Sequence, residues 1–387
     1  MSEVVSERSR TIVKTKVLFM IHDLGHGGAE KVLVNLVNNM DPARFDISVV
    51  ALFGGGVNEQ FLKPHVRFRS VWKKAVRGNS HLMKLLTPQQ LHRICVKEHY
   101  DIEVSYLEGP SARVISGCTD PDTKRVAWIH CTMQSDKDVA QGFRGYREAC
   151  ACYARFDRLA FVSESVRNVF CGLCPVEKPA EVIYNTNESD RILQLAKQNV
   201  EEDLFSQEEY KLVCMGRLIP VKGYDRMIRI HERLRRDGYP VHTYILGEGK
   251  LRNELEAVTA QRGMTQSFTF LGYQENPYRF MAQCDLFVCS SHSEGFSTAA
   301  TEALILGIPV CTTEVSGMRE MLGEHNEYGI VTDNNTEALY EGMKRLLDDP
   351  QLLAHYKEMA SERGKTFSTE RTVQAVEKML TELKENG

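Results

Sequence analysis

Short apolar runs rich in β-branched residues alternate with longer amphipathic stretches, and the alternation occurs in two successive series. Runs of this length between turn residues predict buried strands. In the first series we expect strands at residues 16–21, 46–52, 66–71, 102–106, 125–129, 158–162 and 181–184. In the second series we expect strands at residues 212–215, 242–246, 268–271, 286–289, 309–312 and 329–331.

The stretches between these runs predict helices at residues 28–40, 81–98, 137–154, 164–171 and 224–236. Strands that alternate with helices form parallel sheets covered on both faces. The pattern therefore predicts an α/β fold with two Rossmann-like domains facing each other across a deep cleft. A charged, polar segment at residues 188–207 separates the two series, so we predict domains at residues 16–187 and 188–367 after a flexible extension at 1–15.

The loop after the predicted strand 286–289 has the features of a phosphate site. Gly295 permits a tight turn, and Ser297 or Thr298 can cap the helix that follows. A helix N-terminus presents backbone N–H groups and the positive end of its dipole to an anion. Glu294 lies in the loop, where it can meet a polyol, and Glu302 lies inside the helix, where it can bind a pair of hydroxyls. This is the outline of a nucleotide-sugar site, although two acidic residues at this spacing also arise by chance.

Two further loops of the second series strengthen this interpretation. Arg217 and Lys222 bracket a strand-to-helix loop, which is where open α/β sheets bind ligands. Two cations at that position can clamp a diphosphate and stabilise it as a leaving group. Gly247, after the next strand, lets the backbone approach a ligand closely.

These motifs resemble those of the retaining family-4 glycosyltransferases (glycosyl transferases group 1), which have the GT-B fold. The matching segments are residues 27–30 (GGAE), 217–223, 247–249 (GEG), 270–273 (FLGY), 294–304 and 307–310 (GIPV). The resemblance extends from about residue 16 to the C-terminal helix and is strongest between residues 210 and 322. It implies that the last helix, at 368–387, crosses back to the N-terminal domain.

The resemblance also implies roles for individual residues. The predicted catalytic residues are Glu294, His130, Arg217 and Lys222. The predicted donor-binding residues are Gly28, Arg217, Lys222, Gly247, Tyr273, Glu294, Gly295, Phe296, Ser297, Thr298 and Glu302. Glu302 matches the family residue that binds the ribose, Glu294 the one that contacts the donor sugar, and His130 one that touches the transferred sugar. No carboxylate in the motifs is an evident nucleophile, and the family is thought to react on one face with the help of the leaving phosphate.

The expected activity is transfer of a hexose from a nucleotide-diphosphate sugar to a glycan or lipid-linked glycan of a cell-envelope pathway. UDP-hexose is favoured as the donor, and GDP-mannose is second. An epimerase with the same fold and a non-catalytic nucleotide-sugar-binding protein remain alternatives; product formed without any acceptor would reveal the epimerase. A nicotinamide dehydrogenase fits poorly, because residues 25–28 (GHGG) lack the glycine spacing of that site.

Composition limits the remaining possibilities. The chain has 387 residues, of which 42% are hydrophobic and 26% charged, and no apolar run is long enough for a membrane span. No apolar signal segment begins the chain, so we expect the 11 cysteines to be reduced and the protein to be cytoplasmic. Residues 120–122 (DPD) fit a turn, and a zinc site from Cys171 and Cys174 has little support. We therefore expect no cofactor and no metal. The resemblance implies that basic side chains and helix N-termini stabilise the leaving diphosphate where other enzymes use a metal ion.

A basic stretch in the first series provides the clue to the acceptor. Between residues 60 and 97 there is no acidic residue. The cations of this stretch are Lys63, Arg67, Arg69, Lys73, Lys74, Arg77, Lys84, Arg93 and Lys97. A basic surface interleaved with apolar groups predicts docking to anionic lipid headgroups. A solvated basic face and a nucleic-acid patch are the alternatives. We expect no nucleic-acid partner, and we expect the protein to lie peripherally at the inner face of the cell membrane.

Overall fold

The computed structural model describes residues 13–25, 27–74, 83–200, 205 and 209–385. Arg77, residues 1–12 of the predicted N-terminal extension, and parts of the predicted helical segments at 81–98 and 188–207 lie outside the described residues.

The first half of the chain forms a seven-stranded parallel sheet. Its strands are β1 (Thr15–Ile21), β2 (Phe45–Phe53), β3 (Arg67–Trp72), β4 (Ile102–Ser105), β5 (Lys124–Ile129), β6 (Arg158–Phe161) and β7 (Ala180–Val182). Their spatial order is β3-β2-β1-β4-β5-β6-β7, and every pairing is parallel. Because β1 and β4 are neighbours, the order of the strands reverses between them, which leaves a crevice at their carboxyl ends.

The second half forms a six-stranded parallel sheet. Its strands are β8 (Tyr210–Met215), β9 (Val241–Leu246), β10 (Phe268–Gly272), β11 (Leu286–Cys289), β12 (Val310–Thr313) and β13 (Ile330–Thr332). The order is β10-β9-β8-β11-β12-β13, so the reversal falls between β8 and β11. All the strands predicted from the sequence are present with ends shifted by a residue or two, which confirms the α/β architecture with two Rossmann-like sheets.

Helices connect these strands and cover the sheets. They are α1 (Gly28–Asn39), α2 (Pro88–Cys95), α3 (Pro110–Ile115), α4 (Asp136–Val139), α5 (Tyr146–Tyr153), α6 (Glu164–Leu173), α7 (Ser189–Ala196), α8 (Tyr224–Arg236), α9 (Arg252–Gln261), α10 (Tyr278–Met281), α11 (Thr298–Ile305), α12 (Met318–Leu322), α13 (Thr336–Asp348), α14 (Pro350–Gly364) and α15 (Thr369–Glu385).

Two predicted helices were too long. The prediction of one helix at 137–154 was wrong, because Gly142 adopts a positive φ of 85° and separates α4 from α5. The prediction of one helix over 81–98 was also wrong, because residues 83–85 are helical but are separated from α2 at Leu86 and Thr87. The Thr87 side chain accepts a hydrogen bond from the Gln90 N–H and fixes the start of α2, and that helix ends at Cys95.

The C-terminal helix α15 lies against the first sheet unit. Glu377 accepts a hydrogen bond from the backbone N–H of Asp41 at 2.7 Å and pairs with Arg44 at 2.9 Å. Near the end of the helix, Lys384 pairs with Asp101 at 3.2 Å. These contacts tie the end of the chain to its first half.

Candidate functional site

The two topological reversals bring the loops after β1, β8 and β11 to one cleft. The loop after β1 leads into α1, the loop after β8 leads into α8, and the loop after β11 leads into α11. Because carboxyl ends of parallel strands share one edge, side chains from distant parts of the chain meet there.

Lys222 and Glu294 form an ion pair at the centre of this cleft. Lys222 Nζ lies 2.6 Å from Glu294 Oε1, and the Ser291 hydroxyl donates to the same oxygen at 2.6 Å. The side chains of Lys222 and Glu294 are 23% and 11% exposed, so the pair is largely removed from water. The sequence led us to expect a Glu294 carboxylate free to bind a polyol. In the structure this carboxylate already contacts Lys222 and Ser291. A small pocket borders the pair and is also lined by Cys289, Ser290 and Ser297.

Local backbone geometry sets the position of Lys222. Residues Pro220–Lys222 form a 3₁₀ turn, and Gly223 follows with φ at 64° in the left-handed region. A Cβ atom on Gly223 would lie 2.1 Å from the carbonyl oxygen of Ser290, so a side chain has no room there. The Ser290 hydroxyl also donates to the Lys222 carbonyl at 3.0 Å. The loop after β8 is therefore locked onto the loop after β11.

The N-termini of α1 and α11 face each other across the cleft. Ser297, one of the two residues predicted as caps, caps α11, where its hydroxyl accepts a hydrogen bond from the Ala300 N–H at 3.3 Å. Gly28 begins α1, and a Cβ atom on it would lie 3.5 Å from Thr298 Oγ1. Two helix N-termini in this arrangement create a region of positive potential suited to a diphosphate.

Glu302 lies within the first two turns of α11 and is only 3% exposed. Its Oε1 accepts a hydrogen bond from Lys31 Nζ at 2.7 Å and another from the Tyr278 hydroxyl at 2.8 Å. Lys31 also donates to the Tyr278 hydroxyl at 2.7 Å. Burial of the ammonium group lowers the pKa of Lys31, but the charge of Glu302 outweighs this, so the pKa lies above its ordinary value.

His130 follows β5 and closes the first-half side of the cleft. Its ring packs 4.7 Å from the ring of Tyr106 and 5.8 Å from that of Trp128, and Nε2 is buried without a hydrogen-bond partner among the described residues. Burial lowers the pKa of His130 to about 3, so the imidazole is neutral. A Cβ atom on Gly295 would lie 2.1 Å from the His130 carbonyl oxygen, which shows how closely the two halves approach each other.

Glu30 of the GGAE segment lies near enough to Arg217 for the charge of the guanidinium group to affect it. Burial raises the pKa of the Glu30 carboxyl, Asp23 adds to this, and the positive charge of Arg217 opposes it. Arg217 is exposed, and it forms no ion pair with any residue that the structure describes. The Glu30 carboxylate folds over Gly27, because a Cβ atom on that glycine would lie 1.7 Å from Glu30 Oε2.

Three other predicted donor-binding residues differ in their surroundings. Gly247 has φ at 140° and packs against the backbone of Gly216, with 2.0 Å between its would-be Cβ and that carbonyl oxygen. Tyr273 is 64% exposed. The ring of Phe296 is buried and stacks on Tyr184 with centroids 5.1 Å apart, so only its backbone is available to a donor.

Sequence reasoning missed Lys31, Tyr278 and Ser291, each of which contacts a predicted site residue. Lys31 lies three positions after Gly28 and thus near the same helical face, which is a signal that the sequence contained. The sequence around Tyr278 and Ser291 contains no pattern that predicts a place in the site for either residue.

A second buried ionic cluster lies away from the cleft. His92 on α2 and Glu103 on β4 approach to 2.8 Å beside Cys118, and these three side chains are grouped closely enough to hold a metal ion. Burial lowers the pKa of His92, but bonding to Cys118 and Glu103 outweighs it and raises the pKa to about 9. Because the imidazolium and carboxylate neutralise each other, we assign the cluster a structural role.

The basic stretch between residues 60 and 97 is partly described. Lys63, Arg67, Lys73, Lys74, Arg93 and Lys97 are exposed. Three apolar side chains of the stretch are exposed as well, Phe61 at 42%, Leu85 at 76% and Ile94 at 38%. Within the described ranges, no helix is both long enough and apolar enough to cross a membrane.

Sequence profiles match both halves of the chain. The profile described as Glycosyl transferases group 1 matches residues 196–363, and the one described as Glycosyltransferase Family 4 matches residues 26–191. The chain belongs to this family of glycosyltransferases, as its motifs indicated.

Two curated relatives align over nearly their whole length. Over 359 residues the chain is 26% identical to the N-acetylgalactosamine-N,N'-diacetylbacillosaminyl-diphospho-undecaprenol 4-alpha-N-acetylgalactosaminyltransferase of Campylobacter jejuni. This alignment covers 91% of the chain and 95% of the Campylobacter jejuni protein. It is 24% identical over 359 residues to the lipopolysaccharide core biosynthesis glycosyltransferase LpsD of Rhizobium meliloti, which covers 91% and 94%.

Solved structures establish the fold. Anabaena Alr3699/HepE, crystallised in complex with UDP, superposes with a TM-score of 0.75 at 20% identity and covers 95% of this chain and 100% of that one. A glycosyltransferase from Rickettsia africae gives a TM-score of 0.78 at 14% identity and covers 97% and 100%. The architecture is GT-B, which confirms the predicted fold class.

Proposed function

We propose that this protein transfers a hexose, or its N-acetylamino derivative, from a nucleotide-diphosphate sugar to a hydroxyl of a lipid-linked glycan, with retention of anomeric configuration. UDP is the favoured nucleotide, and GDP is the second candidate. The observation that carries the proposal is the pair of helix N-termini at Gly28 and Thr298, which face each other beside Lys222 and Glu302. This arrangement offers positive potential for a diphosphate between a carboxylate for the ribose and a carboxylate for the sugar.

Each part of the donor has a matching group in the cleft. Lys222 and Arg217 balance the charge that grows on the diphosphate as the anomeric C–O bond breaks, and the α11 N–H groups assist them. Glu302 accepts hydrogen bonds from the ribose hydroxyls, and Glu294 orients the sugar ring. Because these cations and helix termini stabilise the leaving group, we propose that the reaction needs no metal ion.

We propose retention on the basis of the resemblance to the retaining family-4 enzymes, and the described residues near the sugar offer no suitable nucleophile for a covalent glycosyl-enzyme. Glu294 is held by Lys222 and Ser291, which suits it for orienting hydroxyls and not for attacking the anomeric carbon. We propose that the acceptor oxygen attacks on the face from which the diphosphate departs, and that a phosphate oxygen takes its proton. His130, neutral because of its burial, contributes a hydrogen bond to the sugar and no proton at ordinary pH.

The relatives support the choice of donor and acceptor. The Campylobacter jejuni relative is by name a 4-alpha-N-acetylgalactosaminyltransferase acting on a diphospho-undecaprenol-linked sugar, and the Anabaena structure holds UDP. An acceptor of this kind is a glycan on an anionic lipid carrier, which agrees with a basic surface on the first domain. We therefore propose a peripheral position at the inner face of the cell membrane.

A product assay tests the activity. The purified protein is incubated with UDP- and GDP-sugars, with and without a polyprenyl-diphosphate-linked glycan, and products are analysed by mass and by the anomeric proton coupling. We expect one new hexose unit with the donor's anomeric configuration, formed only with the acceptor and insensitive to EDTA. An altered sugar in the absence of acceptor would instead indicate the epimerase, and nucleotide binding without any product would indicate the binding protein.

A vesicle assay tests the membrane contact separately. Sedimentation with anionic vesicles at low salt should be reduced in a variant that carries Leu85→Ser and Arg93→Glu. The control carries Lys250→Glu and Lys357→Glu, which alter exposed lysines of the second half and should bind vesicles like the wild type. Equal binding by all three proteins would contradict the membrane proposal without affecting the proposed reaction.

A further inference from the structure

Lys31 joins the first half of the chain to the carboxylate that is expected to hold the ribose. It lies on α1, one turn from Gly28, and its ammonium group reaches across the cleft to Glu302 Oε1 at 2.7 Å. The Tyr278 hydroxyl lies 2.7 Å from Lys31 Nζ and 2.8 Å from the same carboxylate oxygen. The three polar atoms therefore form a closed triangle.

The two carboxylate oxygens of Glu302 differ in their hydrogen bonding. Both hydrogen bonds fall on Oε1, and no described residue donates to Oε2. Glu302 and Tyr278 are 3% and 5% exposed, whereas the side chain of Lys31 is 45% exposed, so the carboxylate end of the triangle is the part removed from water. A glutamate carboxylate otherwise rotates in a broad, nearly two-fold well. Two donors on one oxygen restrict that rotation and leave the other oxygen as the acceptor for a ligand hydroxyl.

We propose that Lys31 is a positioning residue for the ribose of the nucleotide sugar. The inference rests on the proposed function, because it assumes that Glu302 binds the ribose. With Lys31 and Tyr278 on Oε1, the carboxylate is oriented before the donor arrives, so less conformational freedom is lost on binding. Since Lys31 comes from α1 and Glu302 from α11, the ribose subsite is completed only when the two halves are close together.

The test compares two ligands in the wild type and in Lys31→Met. The ligands are UDP and 2′,3′-dideoxy-UDP, which lacks both hydroxyls that Glu302 would bind; if GDP is the better ligand, the guanosine pair replaces them. Methionine keeps an unbranched side chain but removes the ammonium group. We expect the affinity for UDP to fall about 10-fold and that for the dideoxy analogue to change little, since the energy of one charge-assisted hydrogen bond is at stake. The preference for the ribonucleotide should therefore shrink by about the same factor.

Two further variants separate positioning from a general defect. Tyr278→Phe removes the other donor to Oε1 and should weaken UDP binding and the ribose preference in the same direction. Lys384→Met removes a lysine whose ion pair with Asp101 also joins distant parts of the chain but lies on α15. This control should bind both nucleotides like the wild type.

The outcomes distinguish the two levels of the argument. If the wild type prefers UDP and Lys31→Met keeps that preference, or loses both ligands equally, the positioning role is wrong while the proposed function stands. If Lys31→Met does not fold, an unchanged ribose preference in Tyr278→Phe would overturn the inference. If the wild type binds no nucleotide, the proposed function fails and the role of Lys31 fails with it.

Discussion

Replacing Lys222 by methionine should separate its chemical role from its structural one. The substitution removes a cation from the leaving diphosphate and at the same time leaves Glu294 without its ion-pair partner. Loss of one preorganised charge from a developing anion costs about 3–4 kcal/mol, so we expect turnover to fall about 100- to 1000-fold.

The loss of stability should be smaller. An unsatisfied buried group costs about 1–3 kcal/mol, and the lower half of that range applies here because Ser291 still donates to Glu294 and both side chains keep some contact with water. We therefore expect a melting temperature lower by about 2–4 °C for each kcal/mol lost. Adding Glu294→Gln to Lys222→Met removes the orphaned charge, so stability should recover while turnover stays low.

The measurements are thermal unfolding and initial rates of sugar transfer on the wild type, both single variants and the double variant. Recovery of turnover together with stability in the double variant would refute the reasoning, because it would mean that transfer needs neither the charge of Lys222 nor the carboxylate of Glu294. If the loss of transition-state stabilisation in Lys222→Met, calculated from the rates, were no larger than its loss of folding stability, the reasoning would be refuted as well.

Two other substitutions test the packing and helix capping at the site, and a third tests ionisation in the separate cluster of His92, Glu103 and Cys118. Gly295→Ala should abolish turnover and lower stability, because its Cβ meets a carbonyl oxygen at 2.1 Å, whereas Gly172→Ala, which meets nothing within 4 Å, should leave activity unchanged in the same assays. Ser297→Ala should cost about 1 kcal/mol in chemical denaturation through loss of the α11 cap, and should weaken UDP binding in calorimetry. For His92 the folded pKa of about 9 lies above the unfolded value near 6.5. Its contacts with Cys118 and Glu103 together therefore contribute at most about 3 kcal/mol to stability, a contribution that is present below pH 6.5 and lost as the pH rises through 9. In Glu103→Gln, chemical denaturation should show a smaller pH dependence of stability, with the remainder due to Cys118 beside His92.

The strand pattern predicted the fold well because both sheets are parallel and buried on both faces. A strand such as β1, in which Val17 to Ile21 are all fully buried, is a continuous apolar run that sequence alone reveals. Helix lengths were harder to predict. The helical pattern of residues 137–154 does not show that Gly142 adopts a left-handed conformation, since a glycine is tolerated inside a helix at a modest cost.

The loops of the candidate site were predictable in kind but not in their pairings. Ser297 was identifiable as a cap because the capping residue and its helix are adjacent in sequence. The contact between Lys31 and Glu302 joins positions 271 residues apart, and no local pattern encodes such a pairing. The motif around Phe296 likewise predicted donor contact, whereas the aromatic side chain packs against Tyr184.

Calorimetric titration with UDP and GDP tests the central claim most directly, since the account depends on a nucleotide diphosphate binding in the cleft between the two halves. The account predicts micromolar binding of one nucleotide by the wild type and its loss in Lys222→Ala. Absence of binding across both nucleotides and their common sugars, or equal binding by Lys222→Ala, would contradict it.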